Sequence, residues 1–335
     1  MKRLPKRPAL PPLASRRVTS QNRASSPPPS PPLIDDLQSR PPKLIPDYLC
    51  PMPSHLLTTT LCDLLHAPVS SSPTIQSPPE VLPQGHHLVY FPIQTAPSKL
   101  APDGADPDHS PGPGFPRRMW AGGEVLFHKG WRERLVMDGR PWQCREHIGD
   151  VSAKGGAGGG GGGESSQRDK VFVDVWRQYG AGRGQGQGRE WDIEERRTLV
   201  FMRAQEARAA PPPRRVATFA RKASRRVRLV PTPTHLFHFS ALTFNAHAIH
   251  VDPLYARSTD GHRDLLVHGP LALALMLNVL GGGVERISYR NLAPLYVNEE
   301  LSVCVGRPDD GRSWDVWIEG PEGGLAVRGK AVMDT

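Results

Sequence analysis

The stretch GPLALALMLNVLGGG, residues 269–283, decides the fold of this chain. Its Gly269-Pro270 pair suits the first turn of a helix, the run from Leu271 to Leu280 is apolar apart from one asparagine, and three glycines end it. The run is about half of the roughly 20 residues that cross a bilayer. We therefore predict a helix that is buried in a protein core, not a transmembrane segment.

Segments with the alternation and the β-branched or aromatic residues of strands lie on both sides of this helix. The predicted strands are residues 123–128, 141–151, 170–178 and 197–203 before it, and residues 284–289, 300–306, 313–319 and 325–333 after it. A buried helix framed by strands, following a similarly strand-rich half, predicts an α+β fold made of two related halves.

The start of the first half carries weaker signals. Leucines recur at helical spacing over residues 54–65, which predicts a helix, and the apolar residues 87–91 predict a short strand. Residues 25–53 are rich in Ser and Pro and cannot bury a core, so we expect order to begin near Met52.

The composition leaves room for two domains with long unpacked segments. The chain has 335 residues, of which 37 are Pro and 33 are Gly. The glycine tracts 155–163 and 180–188 fall between predicted strands, where lengthening a hairpin loop costs little. We predict flexible insertions there, a first half over residues 46–210 and a second half over residues 211–335.

The first 34 residues are basic and contain no acidic residue before Asp35. Their lysines, arginines, serines and threonines match a mitochondrial presequence, although the prolines weaken its helix. We predict that residues 1–45 form a presequence and a disordered linker. The alternative is a disordered basic tail without a targeting role.

The net charge of +9 would suit nucleic acid, an anionic membrane or an acidic protein partner. Much of the charge lies in the basic start and in the arginine-rich segment 214–228, which has no aromatic ladder for stacking on bases. Nucleic acid is therefore not a predicted partner. The four cysteines form no Cys-x-x-Cys pair, which indicates a reducing compartment and neither a disulfide framework nor a zinc knuckle.

The segment FSALTFNAHAIH, residues 239–250, holds the candidate chemistry. Asn245 lies two residues from His247 and five from His250, so the three side chains converge only if the chain bends or leaves the helix. Such an irregularity is typical of a functional site. The alternative is three ordinary polar residues on a solvated helix face.

A metal site is a competing interpretation of the same histidines. His235 and His238 precede His247, His250 and Asp252, which are all plausible ligands. However, His235 and His238 fall in a strand-like stretch, where positions three apart point to opposite faces. We therefore expect no metal.

Several separated motifs, in order, resemble one family, the fungal mitochondrial hydroxyacyl-thioester dehydratases of type 2. They are residues 88–91, 117–123, 239–256, 266–271, 289–296 and 314–320. The resemblance covers roughly residues 45–335 apart from the two glycine tracts. It implies a double hot-dog fold, in which each half is an antiparallel sheet wrapped round a central helix, with the catalytic motif in the second half.

The same resemblance implies an activity. These enzymes dehydrate (3R)-3-hydroxyacyl thioesters of acyl carrier protein or CoA to trans-2-enoyl thioesters, in mitochondrial fatty acid synthesis and without a cofactor. The basic net charge suits an acidic carrier protein as partner. The implied location is the mitochondrial matrix, with no transmembrane segment, and a homodimer is compatible with the sequence.

The motif departs from the Asp-x-Asn-Pro-x-His pattern of the wider hydratase superfamily. Aligning the last histidine with His250 puts Asn245 at the Asp, His247 at the Asn and Ala248 at the Pro. An amide cannot transfer protons at neutral pH, so Asn245 can only hold a water or a hydroxyl. The departure puts in doubt any acid/base scheme that needs two titrating residues of this motif.

We therefore predict one catalytic base, His250, which titrates near pH 6.5 and returns its proton to the leaving oxygen. Asn245 and His247 orient the substrate hydroxyl, and the backbone N–H of Gly269 binds the thioester oxygen at the helix start. His268 positions that turn or caps the helix. The leucines and methionine of the helix form core and, secondarily, line the acyl tunnel.

Two other functions stay open on the same fold. A thioesterase would use a carboxylate near the helix, for which Asp252 and Asp260 are the candidates. A catalytically inactive module that only binds acyl thioesters would explain why Asn245 stands at the acidic position.

Overall fold

The computed structural model describes residues 31–68, 80–154, 170–181, 191–204, 217–307 and 312–334. In the first half the elements are α1 (Pro31–Ser39), β1 (Lys43–Tyr48), α2 (Pro51–Leu64), β2 (Arg117–Phe127), α3 (Trp131–Arg134), β3 (Pro141–Lys154), β4 (Lys170–Ala181) and β5 (Ile193–Met202). In the second half they are β6 (Arg225–Leu229), α4 (Pro233–Thr243), α5 (Pro253–Ser258), α6 (Gly269–Leu280), β7 (Val284–Asn291), β8 (Leu301–Gly306), β9 (Ser313–Glu319) and β10 (Leu325–Met333). The predicted strands and the helix over 54–65 are confirmed, with ends shifted by a few residues.

The ten strands form one antiparallel sheet in the order β1-β3-β4-β5-β2-β7-β10-β9-β8-β6. The five strands of each half are neighbours, and the halves join where β2 pairs with β7, from Gly122 opposite Arg290 to Leu126 opposite Arg286. The α+β prediction is confirmed. The boundary predicted at residue 210 lies outside the described residues, so the division of the chain there remains a prediction.

Helix α6 is the centre of the second half. Its residues from Leu271 to Leu277 and Val279 are buried, and it packs on β8 and β9 as well as on β2 and β7. Burying a leucine side chain contributes roughly 1.5–3 kcal/mol, so this helix anchors the core. Gly281 ends the helix in the left-handed conformation that glycine adopts without strain (φ 86°).

The corresponding element of the first half is short. Residues predicted as a strand over 87–91 instead form a 3-10 helix, His86–Val89, whose side chains are all buried. The strand prediction was wrong because a short apolar run has no period that separates a strand from a buried helical turn. This single turn contacts α2 and α6, and its Leu88 and Val89 belong to the main core.

Regular structure begins before Met52, so the predicted start of order was wrong. In α1, Leu37 is fully buried and packs with Phe115, Val173 and Phe201. The edge strand β1 pairs with β3 and tolerates its proline because an edge strand needs only one side of its backbone for pairing. The start of the predicted presequence, residues 1–30, lies outside the described residues, as does most of both glycine tracts.

Within the described residues, no helix is long and apolar enough to cross a membrane.

Candidate active site

Helix α4 lies directly before Asn245, His247 and His250 in the chain. The Thr232 hydroxyl caps its start and His235 completes a reciprocal capping box, so this stretch is helical and the strand-like interpretation of His235 and His238 was wrong. His235 Nε2 also lies 2.7 Å from Asp63 Oδ2, so this ring nitrogen is already engaged in a hydrogen bond. Nowhere in the described ranges do three His, Cys, Asp or Glu side chains meet as metal ligands. The helix ends at Phe244, which adopts a left-handed conformation (φ 52°).

The residues after α4 leave the helix, as convergence of the motif requires. Asn245 Oδ1 accepts a hydrogen bond from the His247 backbone N–H at 3.1 Å, and a 3-10 turn, Ala248–His250, follows. This geometry brings the buried rings of His247 and His250 edge to face, with centroids 5.6 Å apart. Asn245 therefore stabilises the turn. One lone pair of its side-chain oxygen already accepts the hydrogen bond from the His247 backbone.

His250 presents one ring nitrogen for chemistry. Its Nδ1 lies 2.8 Å from the Leu266 carbonyl oxygen, which can only accept, so Nδ1 carries the proton and donates it. Nε2 is left as an unprotonated acceptor. The ring stacks on that of His268 at 3.7 Å between centroids, which fixes its plane.

The protonation of His250 differs from the sequence-based expectation. Burial, helped by the nearby His247, lowers the pKa of His250 to about 3, and the hydrogen bond to Leu266 opposes this only in part. The prediction of a pKa near 6.5 was wrong because it assumed a solvated ring. The imidazole is therefore neutral at physiological pH, and its protonated form is a stronger acid than an ordinary imidazolium.

His268 packs against the ring of His250. It is fully buried, its Nε2 lies 2.8 Å from Ser240 Oγ, and its side chain makes no cap hydrogen bond to α6. The capping alternative is wrong, and the positioning role stays a prediction that its stacking on His250 supports. Burial and His250 hold the pKa of His268 well below its usual range, so the stacked pair is uncharged.

Gly269 begins α6 directly beside these rings. A Cβ atom at this position would lie 2.9 Å from the Trp120 side chain and 3.0 Å from Asn291 Nδ2. Asn291 Nδ2 in turn donates to the Trp120 carbonyl oxygen at 2.8 Å, so this wall is fixed. Only glycine fits, and its N–H is among the helix-start amides that have no partner within the helix.

One cavity of about 660 Å³ joins these groups to the first half. Its lining includes Asn245, His247, His250, His268 and Gly269, together with first-half residues such as Tyr90, Phe91, Trp120, Arg177 and Arg197. From α6 only Gly269, Pro270 and Ala272 reach it, so the prediction that the helix leucines and methionine line the tunnel was wrong. The cavity is lined by residues of both halves.

The structure adds one residue that the sequence reasoning missed. Asp103, from the loop after Leu100, is buried and places Oδ2 3.3 Å from His247 Nε2. Its only local signal is the Asp-Gly pair of a turn, which carries no information about a partner 144 positions later.

The carboxylates considered for a thioesterase lie elsewhere. Asp252 caps α5 by accepting hydrogen bonds from the N–H groups of Leu254 and Tyr255. Asp260 is buried and pairs with Arg117 at 3.4 Å. Neither of these two side chains lines the cavity; among the described residues, the acidic residue in its lining is Asp106 of the first half.

The buried histidines predict a particular pH dependence of stability. Burial lowers the pKa of His86 to about 3, of His87 to about 4 and of His250 to about 3. The unfolded chain, with histidine pKa values near 6.5, then binds more protons than the native state as pH falls below that value. Below about pH 6.5 each of these three rings lowers the unfolding free energy by roughly 1.4 kcal/mol per pH unit, so together they should make it about 4 kcal/mol lower at pH 5.5 than at pH 7.5. Guanidinium melts at the two pH values check this, and equal free energies would contradict it.

Known proteins are similar to this chain in sequence. A model of the family described as hydroxyacyl-thioester dehydratase type 2 matches residues 85–297. A mesaconyl-C(4)-CoA hydratase of Chloroflexus aurantiacus is 33% identical over 270 residues, which are 78% of this chain and 85% of that protein. The mitochondrial hydroxyacyl-thioester dehydratase type 2 of Schizosaccharomyces pombe is 28% identical over 295 residues, covering 82% of this chain and 91% of its own.

Solved structures agree on the fold. A MaoC-like dehydratase from Phytophthora capsici superposes with a TM-score of 0.61 at 14% identity and covers 90% of this chain and 99% of its own. HtdX from Mycobacterium tuberculosis gives a TM-score of 0.54, also at 14% identity, over 86% of this chain and 99% of its own. The double hot-dog prediction is confirmed. Since the family model spans well over half of the sequence, the chain belongs to the hydroxyacyl-thioester dehydratase type 2 family and is a hydro-lyase of acyl thioesters.

Proposed function

We propose that this protein removes water from (3R)-3-hydroxyacyl thioesters to give trans-2-enoyl thioesters, with His250 as the group that moves the proton. One observation carries the assignment of residues. A buried, neutral imidazole with a free Nε2 and a helix start that admits only glycine line the same cavity. These are the two groups that an elimination next to a thioester carbonyl needs.

The reaction runs in two proton movements. Nε2 of His250 takes the proton from C2, and the C2–H electron pair becomes the enolate whose negative charge lies on the thioester oxygen. The Gly269 N–H, at the positive end of α6, stabilises that oxygen. The electron pair then forms the C2–C3 double bond as the C3–O bond breaks, and the His250 imidazolium gives its proton to the leaving hydroxide. Water and the enoyl thioester leave, and His250 is neutral again.

The low pKa of His250 favours the second movement. Burial makes the His250 imidazolium a stronger acid than an ordinary imidazolium, so it protonates a departing hydroxide readily. The first movement depends on the enolate being stabilised at Gly269, because the ring is a weak base. Base and oxyanion site therefore act as one unit.

Asn245 and His247 hold the C3 hydroxyl in this scheme. The Asn245 amide keeps its NH₂ group for the hydroxyl oxygen, since its own oxygen accepts from the His247 backbone. His247 faces His250 across the edge of the cavity, where a hydroxyl between the two rings would meet both. Neither residue needs to change protonation.

A mitochondrial role in fatty acid synthesis follows from the family. The Schizosaccharomyces pombe relative is named as mitochondrial, and the first 34 residues of this chain have the basic, acid-free composition of a presequence. We propose the matrix as location and acyl carrier protein or CoA as the thioester donor. The net charge of +9 favours an acidic carrier protein.

A second substrate class has a specific observation in its favour. Arg177 and Arg197 line the cavity, whereas the glutamates that pair with them, Glu146 and Glu195, do not. The cavity wall therefore presents cations whose counter-charges lie behind it. Guanidinium groups so placed suit a carboxylate, and the Chloroflexus aurantiacus relative is named for a hydratase of mesaconyl-C(4)-CoA. An enoyl thioester with a terminal carboxylate is the second candidate substrate.

The reverse reaction tests both candidates in one assay. We expect trans-2-enoyl-CoA to lose its enoyl absorbance in the presence of the enzyme, with no release of free thiol. A matched enoyl-CoA with a terminal carboxylate shows, by its kcat/KM, which class the cavity prefers. Thiol release without hydration would contradict the proposal, and so would binding of both thioesters without turnover.

A further inference from the structure

Asp103 is a buried carboxylate that the proposed reaction does not yet use. Its side chain is 4% exposed, although it lies in an irregular loop of the first half. A carboxylate taken out of water at this depth is costly unless it is paired and hydrogen-bonded, so its partners show what holds it there.

The loop around Asp103 is docked on the catalytic loop through the backbone. The Asp103 carbonyl oxygen accepts a hydrogen bond from the Ala248 N–H at 2.7 Å, two residues before His250. Gly104 adopts a positive φ of 77°, and a Cβ atom there would lie 2.2 Å from the Ala246 carbonyl oxygen. The two loops therefore meet at a distance that only glycine permits, and the register of Asp103 against the motif is fixed.

The two carboxylate oxygens of Asp103 have different neighbours. Oδ1 accepts from the Ala105 N–H at 3.0 Å, which fixes the carboxylate plane. Oδ2 lies 3.3 Å from His247 Nε2 and 3.6 Å from Arg118 Nε. Among the described residues, neither Oδ2 nor His247 Nε2 has an aligned hydrogen-bond partner, and the two buried atoms lie within 3.3 Å of each other. Burial raises the pKa of Asp103, but His247 and Arg118 outweigh it and hold that pKa below its usual range, so Asp103 is ionised.

We propose that Asp103 is a positioning residue of the dehydratase site, which acts through His247 and supplies from the first half the carboxylate that Asn245 does not provide. This inference rests on the proposed function. An ionised carboxylate only accepts, so it selects the His247 ring state with a proton on Nε2. Nδ1 is then the ring nitrogen available to the C3 hydroxyl. Without Asp103 the ring loses this restraint and the hydroxyl loses a fixed partner.

The rival explanation is a structural ion pair. Arg118 also donates to the Asp106 carbonyl oxygen and lies over the Phe201 ring, so an Asp103–Arg118 pair could serve only to fasten the loop. The two explanations differ in one respect. If Asp103 only fastens the loop, its replacement lowers stability whatever residue stands at position 247. If Asp103 positions His247, its replacement lowers kcat only while the imidazole of His247 is present.

The test is Asp103→Asn, which keeps volume and most hydrogen bonds but removes the charge and the strict acceptor. We expect kcat for hydration to fall about 10- to 100-fold, the range for a residue that orients a functional imidazole, with KM changed by less than about threefold. Asp260→Asn is the matched control, because Asp260 is also buried and also pairs with an arginine, whereas only Asp103 of the two places a carboxylate oxygen beside His247. It should keep kcat within about twofold.

A double-mutant cycle separates positioning from fastening. In a His247→Gln background, Asp103→Asn should cost nothing further in kcat. The same fold loss in both backgrounds would overturn the proposal, as would an Asp103→Asn variant with normal kcat. Hydration by the wild-type enzyme and its loss in His250→Gln test the proposed function. The coupling between positions 103 and 247 tests this inference. The two tests use different variants, so failure of the inference and failure of the proposed function are distinguishable.

One measurement needs no variant at position 103. In wild-type enzyme with labelled histidine, the ring nitrogen shifts of His247, assigned with His247→Gln, should show the proton on Nε2. A proton on Nδ1 alone would overturn the inference even if Asp103→Asn failed to fold.

Discussion

Replacing His250 by glutamine should lower kcat for hydration by about two to four orders of magnitude while leaving the protein folded. Glutamine can still donate to the Leu266 carbonyl oxygen, as Nδ1 of His250 does at 2.8 Å, so the turn keeps its anchor. It cannot accept and return a proton at neutral pH. The loss should appear in kcat and kcat/KM alike, because the interaction is made only in the transition state. Initial rates of enoyl-absorbance loss, with a thermal melt of each variant, measure both.

The matched control for this substitution is His262→Gln. His262 is a half-buried histidine of the same half whose Nδ1 lies 3.4 Å from the Tyr296 hydroxyl, and it does not line the cavity. Its loss should leave kcat within about twofold. A folded His250→Gln enzyme within tenfold of wild type would remove His250 from the role of base.

Gly269→Ala should give the second-largest effect. The added methyl would lie 2.9 Å from Trp120, whose carbonyl is held by Asn291, so the start of α6 must move. Moving the N–H away from the thioester oxygen removes one oxyanion donor, which typically costs about 10²- to 10³-fold in kcat. The backbone of Gly269 is not in the left-handed region, so the loss would come from displacement and not from backbone strain. Steady-state kinetics with a trans-2-enoyl-CoA substrate check it.

Gly114→Ala is a suitable control, because the nearest atom that its methyl would meet is 3.7 Å away and its φ is also not positive. That variant should behave as wild type. If Gly269→Ala kept full kcat with an unchanged fold, the thioester oxygen would have to be stabilised by another group.

The second half was largely predictable from sequence. The apolar run between a Gly-Pro start and a glycine end predicts a buried helix, which is α6. The strands around it show a clear alternation of apolar and polar residues. The motif was also informative, because the spacing of Asn245, His247 and His250 fits no regular helix and the chain indeed leaves α4 at Phe244. The local sequence therefore indicated that the chain bends at the motif, while the roles of His250 and Gly269 remain predictions.

What the sequence did not predict depends on contacts between the halves. The contact of Asp103 with His247 arises only when the halves share one sheet, and no local pattern encodes it. The low pKa of His250 likewise follows from burial in the folded chain, which the local sequence does not show. The buried arginines of β4 and β5 occupy positions where an alternating strand pattern predicts core, and their partners are long-range as well. Tertiary context, not propensity, decides each of these features.

A crystal structure with a bound substrate analogue tests the central claim most directly. An amide analogue of a (3R)-3-hydroxyacyl-CoA keeps the carbonyl oxygen but has a far less acidic C2 proton, so it should bind without reacting. We predict His250 Nε2 within about 3.5 Å of C2 and of the hydroxyl oxygen, and the Gly269 nitrogen within about 3.2 Å of the carbonyl oxygen. A bound acyl group whose carbonyl oxygen faces away from Gly269, with Nε2 of His250 touching neither C2 nor the hydroxyl, would contradict the account.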